Sequence, residues 1–96
     1  MRLRYTAPAR SDLDRIFSRL RDQADLATAA DQLHRIRRTA DRLIDVPGIG
    51  PAPEGNRSRV LRVRGTPYPI VYAMIAGEIQ ILRVYDGAQD RRPAPE

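Results

Sequence analysis

The chain has no cysteine, no tryptophan and no lysine, and it has one histidine and one phenylalanine. Each absence excludes something. Without cysteine there is no disulfide framework, no thiolate nucleophile and no cysteine zinc site. A single histidine, His34, cannot build a histidine-rich metal centre. No metal and no cofactor is expected. No apolar run is long enough to cross a bilayer, and the opening Met1-Arg2-Leu3-Arg4-Tyr5 reads as a strand rather than a secretion signal. The expectation is a soluble, cytoplasmic protein that does not engage a membrane.

What is present is a small amount of chain and much arginine. Ninety-six residues and 10.9 kDa suit one domain, expected over 1–90, with 91–96 as a flexible tail. With 42% hydrophobic residues the chain can fold, but a domain this short buries a thin core. A partner that adds buried surface therefore matters. All 17 basic residues are arginine, set against 12 acids, for a net charge of +5. Residues 6–45 are nearly balanced, with eight arginines and seven aspartates. The excess lies in 57–75, where Arg57, Arg59, Arg62 and Arg64 face no acid. An unpaired positive segment fits an anionic partner, either nucleic acid or an acidic peptide; it also fits a solvated face. Coding bias also produces arginine without lysine.

The hydrophobic period sets the element order. Arg2 to Tyr5 alternates as a short strand. Thr6 can cap a helix that carries Pro8 in its first turn and runs from about Ala7 to about Asp22. Leu13, Ile16, Phe17 and Leu20 form its apolar stripe, with Asp12 and Arg19 among the residues assigned to the remainder. Asp25 can cap a second helix from about Leu26 to Ile44, with Leu26, Ala29, Ala30, Leu33, Ile36, Ala40, Leu43 and Ile44 on its buried side. Asp31–Arg35 and Arg37–Asp41 are expected i, i+4 pairs. Val46 to Pro53 breaks the helix. The period then falls to two. Strands are expected over Arg57–Arg64, Tyr68–Ile75 and Glu78–Asp86, joined by tight turns at Gly65-Thr66-Pro67 and Ala76-Gly77. The result is a two-layer α+β domain: an N-terminal strand, an antiparallel two-helix hairpin and an antiparallel three-stranded meander. One sheet face is left uncovered.

Strand parity assigns that open face. Val60, Arg62 and Arg64 point to it from the first meander strand, while Arg59 near that strand's end shares the other face with Leu61 and Val63. Val71, Ala73 and Ile75 share one face of the middle strand. In the last strand Leu82 and Val84 suit the helix side, leaving Ile79, Ile81, Arg83 and Tyr85 open. Two chemistries fit such a face. Arginines can hold a phosphate while a tyrosine stacks or donates a proton, as in a metal-free RNA-cleaving site. The same mixture of aliphatics and arginine also suits an acidic, amphipathic peptide.

A series of motifs resembles a known family. Ala9-x-x-Asp12-Leu13-x-x-Ile16 is followed by Ile36-x(6)-Leu43-x-x-x-Pro47-x-x-Gly50. Arg59-x-Leu61-x-Val63 leads to Pro67-Tyr68-x-Ile70-Val71-Tyr72, and Ile81-Leu82-Arg83-Val84-Tyr85-Asp86-Gly87 closes the series. In this order they resemble the RelE/ParE superfamily of type II toxin–antitoxin toxins over roughly residues 3–90. The resemblance implies the fold just described. It also implies a bacterial toxin that arrests growth and forms a hetero-oligomer with an antitoxin, here a ParD-like one. The antitoxin's C-terminal segment wraps the toxin, and its ribbon-helix-helix N-terminus binds operator DNA, which the toxin reaches only through it.

The superfamily has two branches. RelE-like members cleave mRNA on the ribosome, and ParE-like members poison DNA gyrase. Where RelE-like toxins carry a catalytic arginine in the middle strand, this chain has Pro69; where they carry another after the last strand, it has Gln89. Its end, Arg91 to Glu96, has no counterpart of their terminal tyrosine-bearing helix, and Tyr85 stands where many relatives have histidine. The resemblance therefore favours a ParE-like gyrase inhibitor that acts by binding. Its expected antitoxin-binding residues are Arg59, Arg62, Arg64, Val71, Ala73, Ile79, Ile81, Arg83 and Tyr85. The alternative is a ribosome-dependent endoribonuclease using Arg62, Arg64, Arg83 and Tyr85.

Overall fold

A computed structural model describes residues 2–48 and 58–86. Strand β1 (Arg2–Tyr5) leads directly into helix α1 (Ala7–Gln23). Thr6 makes that junction: its hydroxyl accepts from Ala9 N at 3.4 Å and donates to the carbonyl of Ile81 at 2.8 Å. It thus caps the helix and fastens the cap to the sheet. Helix α2 (Leu26–Asp41) follows a two-residue link and is capped by Asp25, whose carboxylate accepts from Thr28 N at 2.6 Å. A short 3-10 turn, Arg42–Ile44, ends the helical layer.

Strands β2 (Arg59–Leu61), β3 (Ile70–Ile75) and β4 (Glu78–Val84) complete a four-stranded sheet ordered β1-β4-β3-β2. The meander is antiparallel, whereas β1 lies parallel to β4 at the other edge. The expected layers and element order are present, in a sheet that is mixed rather than a separate strand beside a meander. The first meander strand is shorter than expected; Arg57 lies outside the described residues, as do part of the Val46–Pro53 loop, Gln89 and the expected tail.

The core joins Ala9, Leu13 and Ile16 of α1 and Ile36, Ala40 and Leu43 of the second helix and its 3-10 turn to the sheet. The sheet contributes Ile70, Tyr72, Ile79, Ile81 and Val84, each with essentially no exposed surface. This corrects the expected parity of the last strand. Ile79 and Ile81 do not lie on an open face; they are central core residues. The cause is a bulge. Val71 pairs with Arg83 but Tyr72 pairs with Ile81, so Leu82 is an extra residue in β4. A two-against-one step reverses the alternation, which lets Ile79, Ile81 and Val84 all face the helices, while Leu82 is half-buried. Three residues of the expected α2 stripe also differ: Leu26, Ala30 and Ile44 are exposed. Ala30 and Ile44 each lie one step around the helical layer from a buried residue, as Ala30 lies about 100° from Ala29. On β3, the last two residues, Met74 and Ile75, are exposed too.

Ala76 (φ 53°) and Gly77 (φ 75°) form the β3–β4 turn with two consecutive left-handed residues, as a two-residue hairpin of primed type requires. Gly77 adopts this freely, whereas Ala76 carries a steric penalty of about 1 kcal/mol.

Candidate functional site

The arginines divide into two groups according to their surroundings. The first group is held at the seam between α1 and the end of β4. Asp12 faces inward from α1 between Ala9 and Leu13, and its side chain is 2% exposed. Its Oδ2 accepts from Arg83 Nε at 2.7 Å and from Val84 N at 2.9 Å. Its Oδ1 accepts from Arg83 Nη2 at 2.9 Å and from Arg15 Nη2 at 3.0 Å. Burial pushes the Asp12 pKa up, but the bonds from Arg83, Val84 and Arg15 outweigh it and hold the carboxyl below its ordinary value. The same bond to Asp12 raises the pKa of Arg83 further. The Arg83 guanidinium also lies 5.4 Å from the centre of the Tyr85 ring.

Two helical turns further on, the polarity reverses. Arg19 of α1 donates to Asp86 Oδ2, and its Nη2 donates to the hydroxyl of the buried Tyr68 at 2.9 Å. Asp12 to Arg19 is seven residues of helix, about 10.5 Å. Arg83 to Asp86 is three residues of extended chain, about 10 Å. Tyr85 N donates to the Pro69 carbonyl at 3.0 Å, which keeps this stretch paired beyond the strand's end. The matched spacing lets helix and strand close two ion pairs of opposite direction side by side.

The second group is open. Arg62 and Arg64 lie between β2 and the β2–β3 turn; both are exposed, and neither makes a hydrogen bond or ion pair among the described residues. Arg59, whose cross-strand neighbour is Tyr72, reaches the Gly48 carbonyl at 3.3 Å. Tyr72 donates to the Pro47 carbonyl at 2.9 Å, so this corner holds the chain leaving the helical layer. Val71 is half-buried and Ala73 buried.

The residues expected to form a site are therefore only partly together. Arg83 and Tyr85 are adjacent, but Arg83 is already bonded to a carboxylate through two of its nitrogens. Ile79 and Ile81 are in the core. Asp12, Arg19, Tyr68 and Asp86, which organise the seam, were not singled out by sequence. One signal was available: Ala9, Asp12, Leu13 and Ile16 share the i, i+3, i+4, i+7 stripe, which puts a carboxylate on a buried face where it needs a cation. Among the described residues no cluster of acids and histidine could hold a metal ion, and no helix is long and apolar enough to cross a membrane.

The family model for the ParE toxin of the type II toxin–antitoxin system parDE matches residues 3–91. The chain belongs to the ParE toxin family. The matched span includes α1 and all of β4, so the charge-paired seam lies within the family's own domain. Toxin ParE3 of Caulobacter vibrioides is 29% identical over 82 residues, which are 85% of this chain and 82% of that protein. A chain in the solved chromosomal ParDE TA system from P. aeruginosa has a TM-score of 0.80 and 26% identity, covering 90% of this chain and 95% of that one. Membership selects the ParE branch of the RelE/ParE superfamily that the sequence motifs resemble.

Proposed function

We propose that this ParE-family toxin acts in the cytoplasm by binding DNA gyrase, arrests growth through it, and is neutralised by a cognate antitoxin. The observation that carries the reading is the state of Arg83. An RNA-cleaving site using Arg62, Arg64, Arg83 and Tyr85 needs guanidinium groups free to meet a phosphate. Arg83 is instead committed to Asp12 by two bonds. Releasing it would leave the buried Asp12 carboxylate with only Arg15 and Val84 N as partners, at a cost of about 3 kcal/mol. Family membership supports the same choice of target. The antitoxin reading draws on the ParDE relative, whose system pairs a toxin with an antitoxin. It draws also on the free Arg62 and Arg64, which suit an acidic, amphipathic segment laid against Val71 and its neighbours.

The test is a pair of assays on the purified chain. Supercoiling by gyrase is expected to fall as the chain is added, with cleaved DNA accumulating. Ribosome-bound mRNA is expected to stay intact. Cleaved mRNA with gyrase unaffected is the result that removes this reading.

A further inference from the structure

Helix α2 has an outer face that the fold does not use. Ile36, Ala40 and Leu43 face the core and are fully buried. Arg35, Arg38 and Arg42 lie on the opposite side, all exposed. At 3.6 residues per turn the three fall within about 60° of one another around the axis and span about 10.5 Å along it. Asp31 pairs with Arg35 at 2.9 Å, but both side chains are half-exposed, so that pair is weak. Among the described residues neither Arg38 nor Arg42 closes an ion pair with Asp41 or Asp45. The stripe also runs up to a second source of charge. A Cβ placed on Gly65 would lie 3.0 Å from Arg35 Nη1, so the turn that carries Arg62 and Arg64 abuts this helix.

We infer that this stripe is a contact surface for the phosphate backbone of duplex DNA. Its chemistry selects that partner over a protein. Stable protein interfaces need a desolvated apolar or aromatic anchor inside a polar rim. The large exposed hydrophobics are Leu26, Ile44, Val46, Met74 and Ile75, none of them between Arg35 and Arg42. Interfaces with DNA are polar and strongly cationic, and guanidinium forks match phosphate oxygens. Single strands are held by stacking on successive aromatic rings, and α2 carries a single one, His34, off the arginine stripe. Arg35, Arg38 and Arg42 carry only hydrogen-bond donors, which match a phosphate and offer no acceptor to the 2′-hydroxyl protons that line duplex RNA, and the Asp31 carboxylate beside them is taken up by Arg35. The stripe belongs to the helical layer, while the antitoxin contact proposed above belongs to the sheet. The toxin then meets DNA directly, and not only through its antitoxin. The inference does not depend on the gyrase or antitoxin reading.

The experiment is fluorescence anisotropy of a labelled duplex of arbitrary sequence, titrated with the full chain at ~50 to ~200 mM salt. Binding is expected to weaken steeply as salt rises. In the Arg38→Ala, Arg42→Ala double variant affinity is expected to fall at least ~tenfold, with the log–log salt slope shallower by ~1.8 for two lost phosphate contacts. Arg38→Lys, Arg42→Lys keeps both charges and is expected to retain most of the binding. An alanine variant with unchanged affinity and slope, or a wild-type chain with no binding at the lowest salt, overturns the inference. So does tighter binding to polyglutamate of equal charge, or to duplex RNA of equal length, than to DNA.

Discussion

Arg83 and Arg64 are the same residue type near one end of the sheet, two strands apart, in opposite circumstances. Arg83 sits at the seam with α1, where Asp12, 2% exposed, takes two of its nitrogens. Arg64 sits near the β2–β3 turn, exposed and without a partner among the described residues. The difference comes from what lies opposite. The seam faces a helix whose apolar stripe includes one carboxylate. The turn faces solvent and another arginine, Arg35. Charge in the first place fastens the fold, and charge in the second is what the proposed antitoxin contact uses.

The largest effect is expected from breaking the seam. Asp12→Ala leaves the Val84 N–H without its acceptor and Arg83 without its carboxylate, and should destabilise the chain by about 3 kcal/mol in urea unfolding. For a domain of this size that is a large share of the total. A loss below about 1 kcal/mol would mean the seam is ornamental. The same carboxylate makes stability depend on pH. Its folded pKa lies below the ordinary value of 3.8, so its stabilisation is complete above that pH and lost as pH falls through the folded value. Asp12→Asn should remove this acid-sensitive component. Unfolding midpoints of the wild type and variant should converge as pH drops below about 4.

The turn should behave in the contrary way. Arg62→Glu with Arg64→Glu should change stability by no more than about 0.5 kcal/mol, since neither arginine holds anything among the described residues. A substantial loss there would erase the distinction between the two regions. An effect smaller than that at the seam concerns neither group. Ala76→Gly should raise stability by about 1 kcal/mol or slightly less, because glycine adopts the left-handed turn without the steric penalty. A decrease would show that the Ala76 methyl makes contacts that outweigh its strain.

Much of the fold was legible in the sequence because local signals agreed with it. Thr6 and Asp25 cap the helices as their residue types suggest, and the change of period after Pro47 marks the passage from helices to sheet. The Asp31–Arg35 pair forms as its spacing implies. What failed was non-local. Nothing in Ile79 to Tyr85 announces that Leu82 is an extra residue; the bulge depends on how β4 meets β3 on one side and β1, which stops at Ile81, on the other. Parity carried across it put Ile79 and Ile81 on the wrong face. The seam was hidden for a similar reason. Asp12 and Arg83 are 71 residues apart, and although the stripe of α1 places Asp12 inward, nothing local names Arg83 as its partner. The free state of Arg62 and Arg64 was easier to foresee, because the segment around them contains no acid.

The most direct test compares the two regions by one quantity, the affinity for the proposed cognate antitoxin. It is measured by calorimetric titration of that antitoxin into folded Asp12→Asn and into folded Arg62→Glu, Arg64→Glu. With charge at the seam fastening the fold and charge at the turn meeting the partner, Asp12→Asn should bind within about twofold of wild type. The double variant should bind at least ~tenfold more weakly, a difference of about 1.4 kcal/mol. The opposite order, with the turn variant unaffected and Asp12→Asn impaired while still folded, would contradict it.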